Sequence, residues 1–251
     1  MNTKPWIFIA PHLDDVALSC GGLVWDLARS GQSVSVWTLV AGLPTDEDYS
    51  PFAQQIHRVW SVAGYEAFRV RREEDRAACA VLGAEVRHYD WLDAIYRRDP
   101  NSGEPIVNND VELFNDPPEP SLVDEITAAL QAELPAAAHL VFPMGLGGHI
   151  DHQAVVQSGA RIGAVEYYYA DYPYILRTFD NPEFRKGHWK SIPHHLDQEA
   201  LEIWCEAVLC HASQLSTFWR DEAETRLALR NYLAGGGGRL MKRSIAGEKG
   251  D

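Results

Sequence analysis

Apolar and polar positions in this chain follow two alternating periods. Trp6 to Ala10 is a short apolar run after Pro5, and it predicts a buried strand. Leu18 to Arg29 carries apolar residues at helical spacing and stops at Gly31, a C-terminal helix signal. Ser33 to Val40, rich in β-branched and aromatic residues, predicts the next strand. The unit then recurs. Glu73 to Leu82 reads as a helix ending at Gly83, and Val86 to Trp91 as a strand. Ser121 to Leu134 is a helix stopped by Pro135, and His139 to Pro143 is a strand. Asp151 to Ile162 is a helix ending at Gly163, and Glu166 to Tyr169 is a further strand. Asp197 to Cys210 and Asp221 to Leu233 are later helices.

Strands alternating with helices predict parallel pairing through right-handed crossovers. The expected fold class is therefore α/β: a Rossmann-like three-layer sandwich with a mostly parallel sheet and helices on both faces. No internal repeat or domain boundary interrupts the pattern, so residues 1–234 are expected to form a single domain. Residues 235–251 open with four glycines and end in charged residues, and are expected to be a flexible C-terminal tail. Three stretches break the alternation: Gly42 to His57, Asp93 to Pro120 and Ala170 to His195. Long loops of this kind in a compact enzyme commonly form substrate walls.

The net charge of −14 argues against nucleic acid or an anionic membrane as partner, since both would be repelled. The apolar N-terminal run is too short for a signal segment, and no stretch approaches the roughly 20 apolar residues of a membrane span. A cytoplasmic protein is expected. Cys20, Cys79, Cys205 and Cys210 form no Cys-x-x-Cys pair and are expected to be reduced thiols.

Two polar clusters interrupt this apolar frame, each directly after a predicted strand. The first is Pro11-His12-Leu13-Asp14-Asp15. In an open parallel sheet, the carboxyl ends of the strands are where ligands bind. Adjacent carboxylates there repel one another, and a cation removes that cost. The second is Gly147-Gly148-His149-Ile150-Asp151-His152, which opens a helix and places His149 and His152 on roughly one face. The glycines are expected to let the backbone approach a ligand closely. If both strands share one sheet, the clusters meet at one edge and can offer two histidines and a carboxylate to a single ion. Two His, one carboxylate and a position left for water form a catalytic zinc pattern. Such an ion lowers the pKa of its water to roughly 7. Asp93, Tyr96 and Arg97 follow another strand end and are candidate contacts to sugar hydroxyls.

These clusters give the chain a family resemblance. It resembles the PIG-L/LmbE-like N-deacetylases, whose signatures are His-Pro-Asp-Asp-Glu and His-Pro-Asp-His. Here His12-Leu13-Asp14-Asp15-Val16 stands at the first, and His149-Ile150-Asp151-His152 at the second. Arg71-Arg72-Glu73-Glu74 resembles the family's Arg-x-x-Glu helix, and the Ser213-Gln214 region matches more loosely. The resemblance implies that His12, Asp15 and His152 hold zinc, with iron(II) as a cellular alternative. It implies that Asp14 is the general base in attack by a metal-activated water. By the same resemblance His149 stabilises the oxyanion or protonates the leaving amine, Asp151 orients His149, and Arg71 contacts substrate. The implied activity is removal of an N-acetyl group from an N-acetylglucosamine-type sugar conjugate, a small-molecule partner. Leu13 and Val16 depart from the family pattern, and Val16 removes a carboxylate.

Rival readings are a zinc hydrolase of another amide or ester bond and a non-catalytic metal-binding protein of Rossmann-like fold. A dinucleotide module is disfavoured because no Gly-x-Gly-x-x-Gly follows the first strand. A serine hydrolase is disfavoured because no Gly-x-Ser-x-Gly elbow occurs. Self-association into a homo-oligomer is left open.

Overall fold

The computed structural model describes residues 4–45, 47–60, 64–178 and 189–243. Its centre is a seven-stranded sheet of order β3-β2-β1-β4-β5-β7-β6. The strands are β1 (Trp6–Ala10), β2 (Val34–Thr38), β3 (Glu85–His88), β4 (His139–Pro143), β5 (Tyr167–Tyr169), β6 (Trp189–Ser191) and β7 (Leu240–Arg243). β1 to β5 run parallel, and β7 lies antiparallel between β5 and β6. This is the expected α/β sandwich. One expectation fails: Leu240–Arg243, placed in the flexible tail, pair as β7, and residues 244–251 lie outside the described residues. β7 uses the edge that β5 would otherwise expose, and an unpaired edge costs a strand its backbone partners.

Alternation along β1 divides the core. Phe8 and Ala10 pack with Val34 and Val36 against Cys20, Leu23 and Val24 of α1 (Asp15–Arg29) and Ala78 and Leu82 of α3 (Gly64–Leu82). Ile7 and Ile9 face the other way. They pack with Leu140 and Phe142 against α5 (Pro120–Glu133) and α6 (Ile150–Ile162). Both faces are thus covered, as near-continuous apolar strands require. A third cluster joins α8 (Gln198–Leu209) to α10 (Glu222–Ala234) around Trp204, which is fully buried.

Trp204 also explains an irregularity in α1. Cys20 has non-helical angles there, φ −155° and ψ 27°. The indole Nε1 donates to the Ala17 carbonyl at 2.6 Å, taking the place of a helical partner. A Cβ at Gly21 would lie 2.7 Å from the Trp204 ring, so only glycine leaves the room.

The expected loops contain short helices. α2 (Pro51–Trp60) begins within the first and runs past its end. A 3-10 turn (Ala94–Tyr96) and α4 (Asp110–Asn115) lie within the second, and α7 (Ile175–Thr178) within the third. Short α9 (Ala212–Leu215) follows α8. Cys20, Cys79, Cys205 and Cys210 are free thiols.

Candidate active site and metal centre

β1 pairs with β2 on one side and β4 on the other, so the connections from β1 and β4 leave the sheet in opposite senses. Ligands bind at such a switch point, beyond the carboxyl ends of the strands. Register places Phe8 beside Val141, so the two polar clusters emerge side by side.

The first cluster folds back on itself. The His12 backbone N–H donates to Asp15 Oδ2 at 2.7 Å, which turns the Asp15 carboxylate under the His12 ring. His12 Nδ1 then lies 3.5 Å from Asp15 Oδ2, and His152 Nε2 lies 3.4 Å from Asp15 Oδ1. The outer nitrogens of both rings are tied to carboxylates. His12 Nε2 is 2.9 Å from Asp151 Oδ2, and His152 Nδ1 is 2.7 Å from Asp171 Oδ1. Since a carboxylate only accepts, each ring donates outward, and the inner nitrogen turned to Asp15 is the one that would give its lone pair to an ion bound there. Metal-binding histidines are held in this way. The donor set therefore fits a divalent ion held by His12, Asp15 and His152.

Other groupings are close in space. One nitrogen each from His12, His149 and His152 lies within 4.8 Å of the others, as do ligand atoms of His12, Asp93 and Asp151. The second grouping is a poor cation site. Arg97 Nη1 already donates to Asp151 Oδ1 at 2.6 Å and supplies the compensating charge.

His149 has a different role from the other two rings. It is the N-cap of α6, and its Nδ1 accepts from the Asp151 backbone N–H at 3.2 Å. A neutral ring so placed carries its proton on Nε2. Burial, with repulsion from His12, holds its pKa well below the ordinary value. His149 thus offers a neutral N–H donor. The expectation that the Asp151 side chain orients His149 is corrected: Asp151 acts on His149 through its backbone, while its carboxylate serves His12, Ala94 N–H and Arg97.

Burial opposes charge throughout the site. At His12 it is outweighed by hydrogen bonds to Asp15 and Asp151 and by the charge of Asp93, so its pKa is well above the ordinary value. At His152, burial is outweighed by Asp15 and Asp171, which raise the pKa. At Asp15, burial is overcome by His152 and His12, which hold the carboxyl below the usual range. Asp14 goes the other way: burial raises its pKa against the opposing pull of Arg71, whose Nη2 is 3.7 Å from Asp14 Oδ1.

A cavity of about 1000 Å³ opens over these groups. His12, Asp14, Asp15 and His149 line its floor together with Arg71 and Asp93, and His152 sits buried beneath. Tyr96 and Arg97, expected to touch substrate, do not line it. Tyr96 is turned inward to His57 and packs edge-on to Phe68. Arg97 points back to Asp151 and Glu119. Three residues follow a strand end together, but only Asp93 faces the opening. The far wall carries Tyr172, Leu176, Phe218, Trp219 and Tyr232. Tyr172 stacks on Tyr232 at 4.1 Å and on Trp219 at 6.1 Å between centroids.

The glycines of the second cluster approach protein rather than open space. Gly148 has φ +81°, and a Cβ there would lie 2.4 Å from the Phe114 carbonyl oxygen. Val16, at the family's glutamate position, is buried in the apolar cluster beneath α1. Asp171 went unread in the sequence. Its signal is position: it follows β5, the next parallel strand at the same sheet edge. Glu74 and Ser213, each in a segment that carries the family resemblance, prove to be partners: Ser213 Oγ donates to Glu74 at 2.6 Å and joins α3 to α9.

The arrangement fits a divalent ion, and comparison with known proteins gives the family. Residues 7–162 match the family model described as PIG-L, GlcNAc-PI de-N-acetylase. The chain is 28% identical to the 2'-N-acetylparomamine deacetylase of Niallia circulans over 249 residues, covering 90% of this chain and 86% of that one. It superimposes on the zinc-inhibited form of teicoplanin deacetylase with a TM-score of 0.74 and 26% identity, covering 97% and 100% of the two chains. It also superimposes on the A40926 pseudoaglycone deacetylase with a TM-score of 0.71 and 27% identity, covering 98% and 99%. The chain belongs to the PIG-L family, and its enzymatic class is that of the deacetylases, which are hydrolases. Among the described residues, no helix is long and apolar enough to cross a membrane.

Proposed function

We propose that this enzyme removes an N-acetyl group from an amino sugar within a larger conjugate, with His12, Asp15 and His152 holding a divalent ion, zinc by preference. One observation carries the reading: each of the two rings has its outer nitrogen bound to a buried carboxylate and its inner nitrogen turned to Asp15. When bound, a divalent ion acidifies water and polarises a carbonyl oxygen as a Lewis acid.

The chain's own residues do the rest. Asp14 sits on the cavity floor with its proton affinity raised by burial, which suits a general base. It accepts the proton of the attacking water. The His149 N–H donates to the oxygen of the acyl group as negative charge develops there, the task of an oxyanion hole. Arg71 is fixed under cation–π contact with Trp60, 4.7 Å from its centroid, and stays beside Asp14. Its positive charge keeps the base ionised between turnovers. Return of the proton from Asp14 to nitrogen releases the amine and acetate.

The cavity volume of about 1000 Å³ is at the upper end of small-molecule pockets. With the aromatic far wall, that supports a substrate in which the acetylated sugar carries a further group. The relatives' names point the same way, since their substrates are sugar-bearing antibiotics or intermediates. The test is Asp14→Asn, assayed for bound zinc and for acetate release from a panel of N-acetylglucosamine conjugates. Zinc content should stay at the wild-type level while turnover falls by about 10²–10⁴-fold, the usual contribution of a general base. Wild-type turnover in this variant would remove Asp14 from the mechanism. A protein that binds no metal would remove the ligand set.

A further inference from the structure

Arg97 donates four hydrogen bonds within the protein, yet it does not line the cavity. Its Nε and Nη2 donate to the two oxygens of Glu119 at 2.8 and 3.1 Å. Its Nη1 donates to the Leu92 carbonyl at 2.8 Å and to Asp151 Oδ1 at 2.6 Å. A guanidinium has five N–H groups in a rigid fork, and four are used here. Asp151 is fully buried. Its other oxygen accepts from the Ala94 N–H at 3.1 Å and from His12 Nε2 at 2.9 Å. The chain of contacts therefore runs Glu119, Arg97, Asp151, His12, from the start of α5 to the floor of the site.

We propose that Arg97, anchored by Glu119, is a positioning residue that holds Asp151 so that the His12 ring keeps Nε2 as donor and presents Nδ1 to the metal. The proposal rests on the reading of His12 as a metal ligand. Its physical basis is the buried carboxylate. Asp151 needs a counter-charge, and without one it is a fully buried, uncompensated charge. An unanchored Asp151 can rotate about χ2, and His12 then loses the acceptor that fixes its tautomer. Glu119 matters because it takes two prongs of the fork and leaves the third aimed at Asp151. A lysine, with one compact ammonium, can reach either carboxylate but does not bridge both in one plane.

The experiment is a zinc titration of the purified full chain, freed of metal, against a chromophoric chelator. It is run on wild type, Arg97→Met, Arg97→Lys, Glu119→Gln and His12→Asn, with KM measured alongside. Loss of an outer partner of a metal-bound histidine typically weakens metal binding 10–100-fold. Arg97→Met should show a weakening in that range, Arg97→Lys should recover part of it, and Glu119→Gln should fall between Arg97→Met and wild type. The visible spectrum of the cobalt(II)-loaded protein should shift in Arg97→Met, because one ligand ring is no longer fixed. If Arg97→Met does not fold, Glu119→Gln and Arg97→Lys decide the matter: wild-type zinc affinity in both overturns the proposal. A raised KM with unchanged zinc affinity in the Arg97 variants also overturns it and makes Arg97 a substrate contact. Wild-type zinc affinity in His12→Asn defeats the ligand assignment itself. Weakened binding in His12→Asn with none in Arg97→Met defeats the positioning role alone.

Discussion

Lowering the pH from about 7 to about 5 should weaken the fold through His211, a residue outside the proposed chemistry. His211 is 1% exposed, and neither ring nitrogen has a hydrogen-bond partner among the described residues. Burial, partly offset by Asp75, reinforced by Arg71 and opposed by Asp15, pulls its pKa from 6.5 down to about 4. The folded protein thus resists a proton that the unfolded chain accepts readily. A depressed folded-state value contributes stability that is present above the unfolded pKa of 6.5 and lost as pH falls toward about 4. Each pH unit inside that window removes about 1.4 kcal/mol, so the drop from about pH 7 to about pH 5 amounts to about 2 kcal/mol. Below about pH 4 the term stops growing, because both states are then protonated. The assay is urea unfolding of wild type and His211→Gln at both pH values. His149, also held below its ordinary value, loosens both proteins alike, so the difference between them isolates His211. Wild type should lose about 2 kcal/mol more than the variant over this interval. Equal losses in the two proteins would refute the argument, and with it the claim that this imidazole is buried and neutral.

Three further outcomes follow from the same geometry. Asp171→Asn removes the charged acceptor of His152 Nδ1 while retaining an oxygen for the Leu146 N–H, so zinc should bind about 10–100-fold more weakly in a chelator competition. Gly148→Ala places a methyl against the Phe114 carbonyl in a left-handed conformation, and thermal unfolding should show a loss of roughly 2 kcal/mol or more; an unchanged melting temperature would mean that this loop is not tightly packed. Trp219→Ala shortens the aromatic wall, and KM for an aryl N-acetylglucosaminide should rise several-fold, about 1 kcal/mol, with little change for the methyl glycoside. Equal effects on both glycosides would place the aglycone elsewhere.

What could be read from the sequence, and what could not, separates by the range of the interactions. Strand ends, helix stops and polar clusters are local. The runs at Trp6–Ala10 and His139–Pro143 appear as strands, and Gly31, Gly83 and Gly163 close the helices before them with positive φ. The convergence of His12, Asp15 and His152 needed only one further premise, that both strands lie in one sheet. α2 was hidden in an expected loop, although its start carries a local signal. Ser50 Oγ accepts from the Ala53 N–H at 3.0 Å ahead of a proline in the first turn, and Phe52, Ala53 and His57 form the buried side. β7 had no such signal: it is four residues long, and its pairing with β5 and β6 depends on chain fifty or more residues away.

The charged residues after β3 show where local reading fails. Asp93 and Arg97 are four positions apart, and both looked equally suited to a sugar hydroxyl. A 3-10 turn lies between them: Asp93 at its start lines the cavity, while Arg97 at its end faces inward to Asp151. The direction of Arg97 is decided by Asp151, which lies 54 residues further on. A fully buried carboxylate at the start of a helix needs a cation, and Arg97 is the residue that the turn delivers to it. The same reasoning applies to Asp171, 19 residues beyond His152. A histidine that is to bind metal must have its second nitrogen fixed, and the nearest strand end at that sheet edge supplies the acceptor. The ligands themselves are thus written in contiguous motifs. Of the groups that aim them, Asp151 lies in the second motif, whereas Arg97 and Asp171 lie in the loops that follow β3 and β5 and are recognisable only once the sheet order is known.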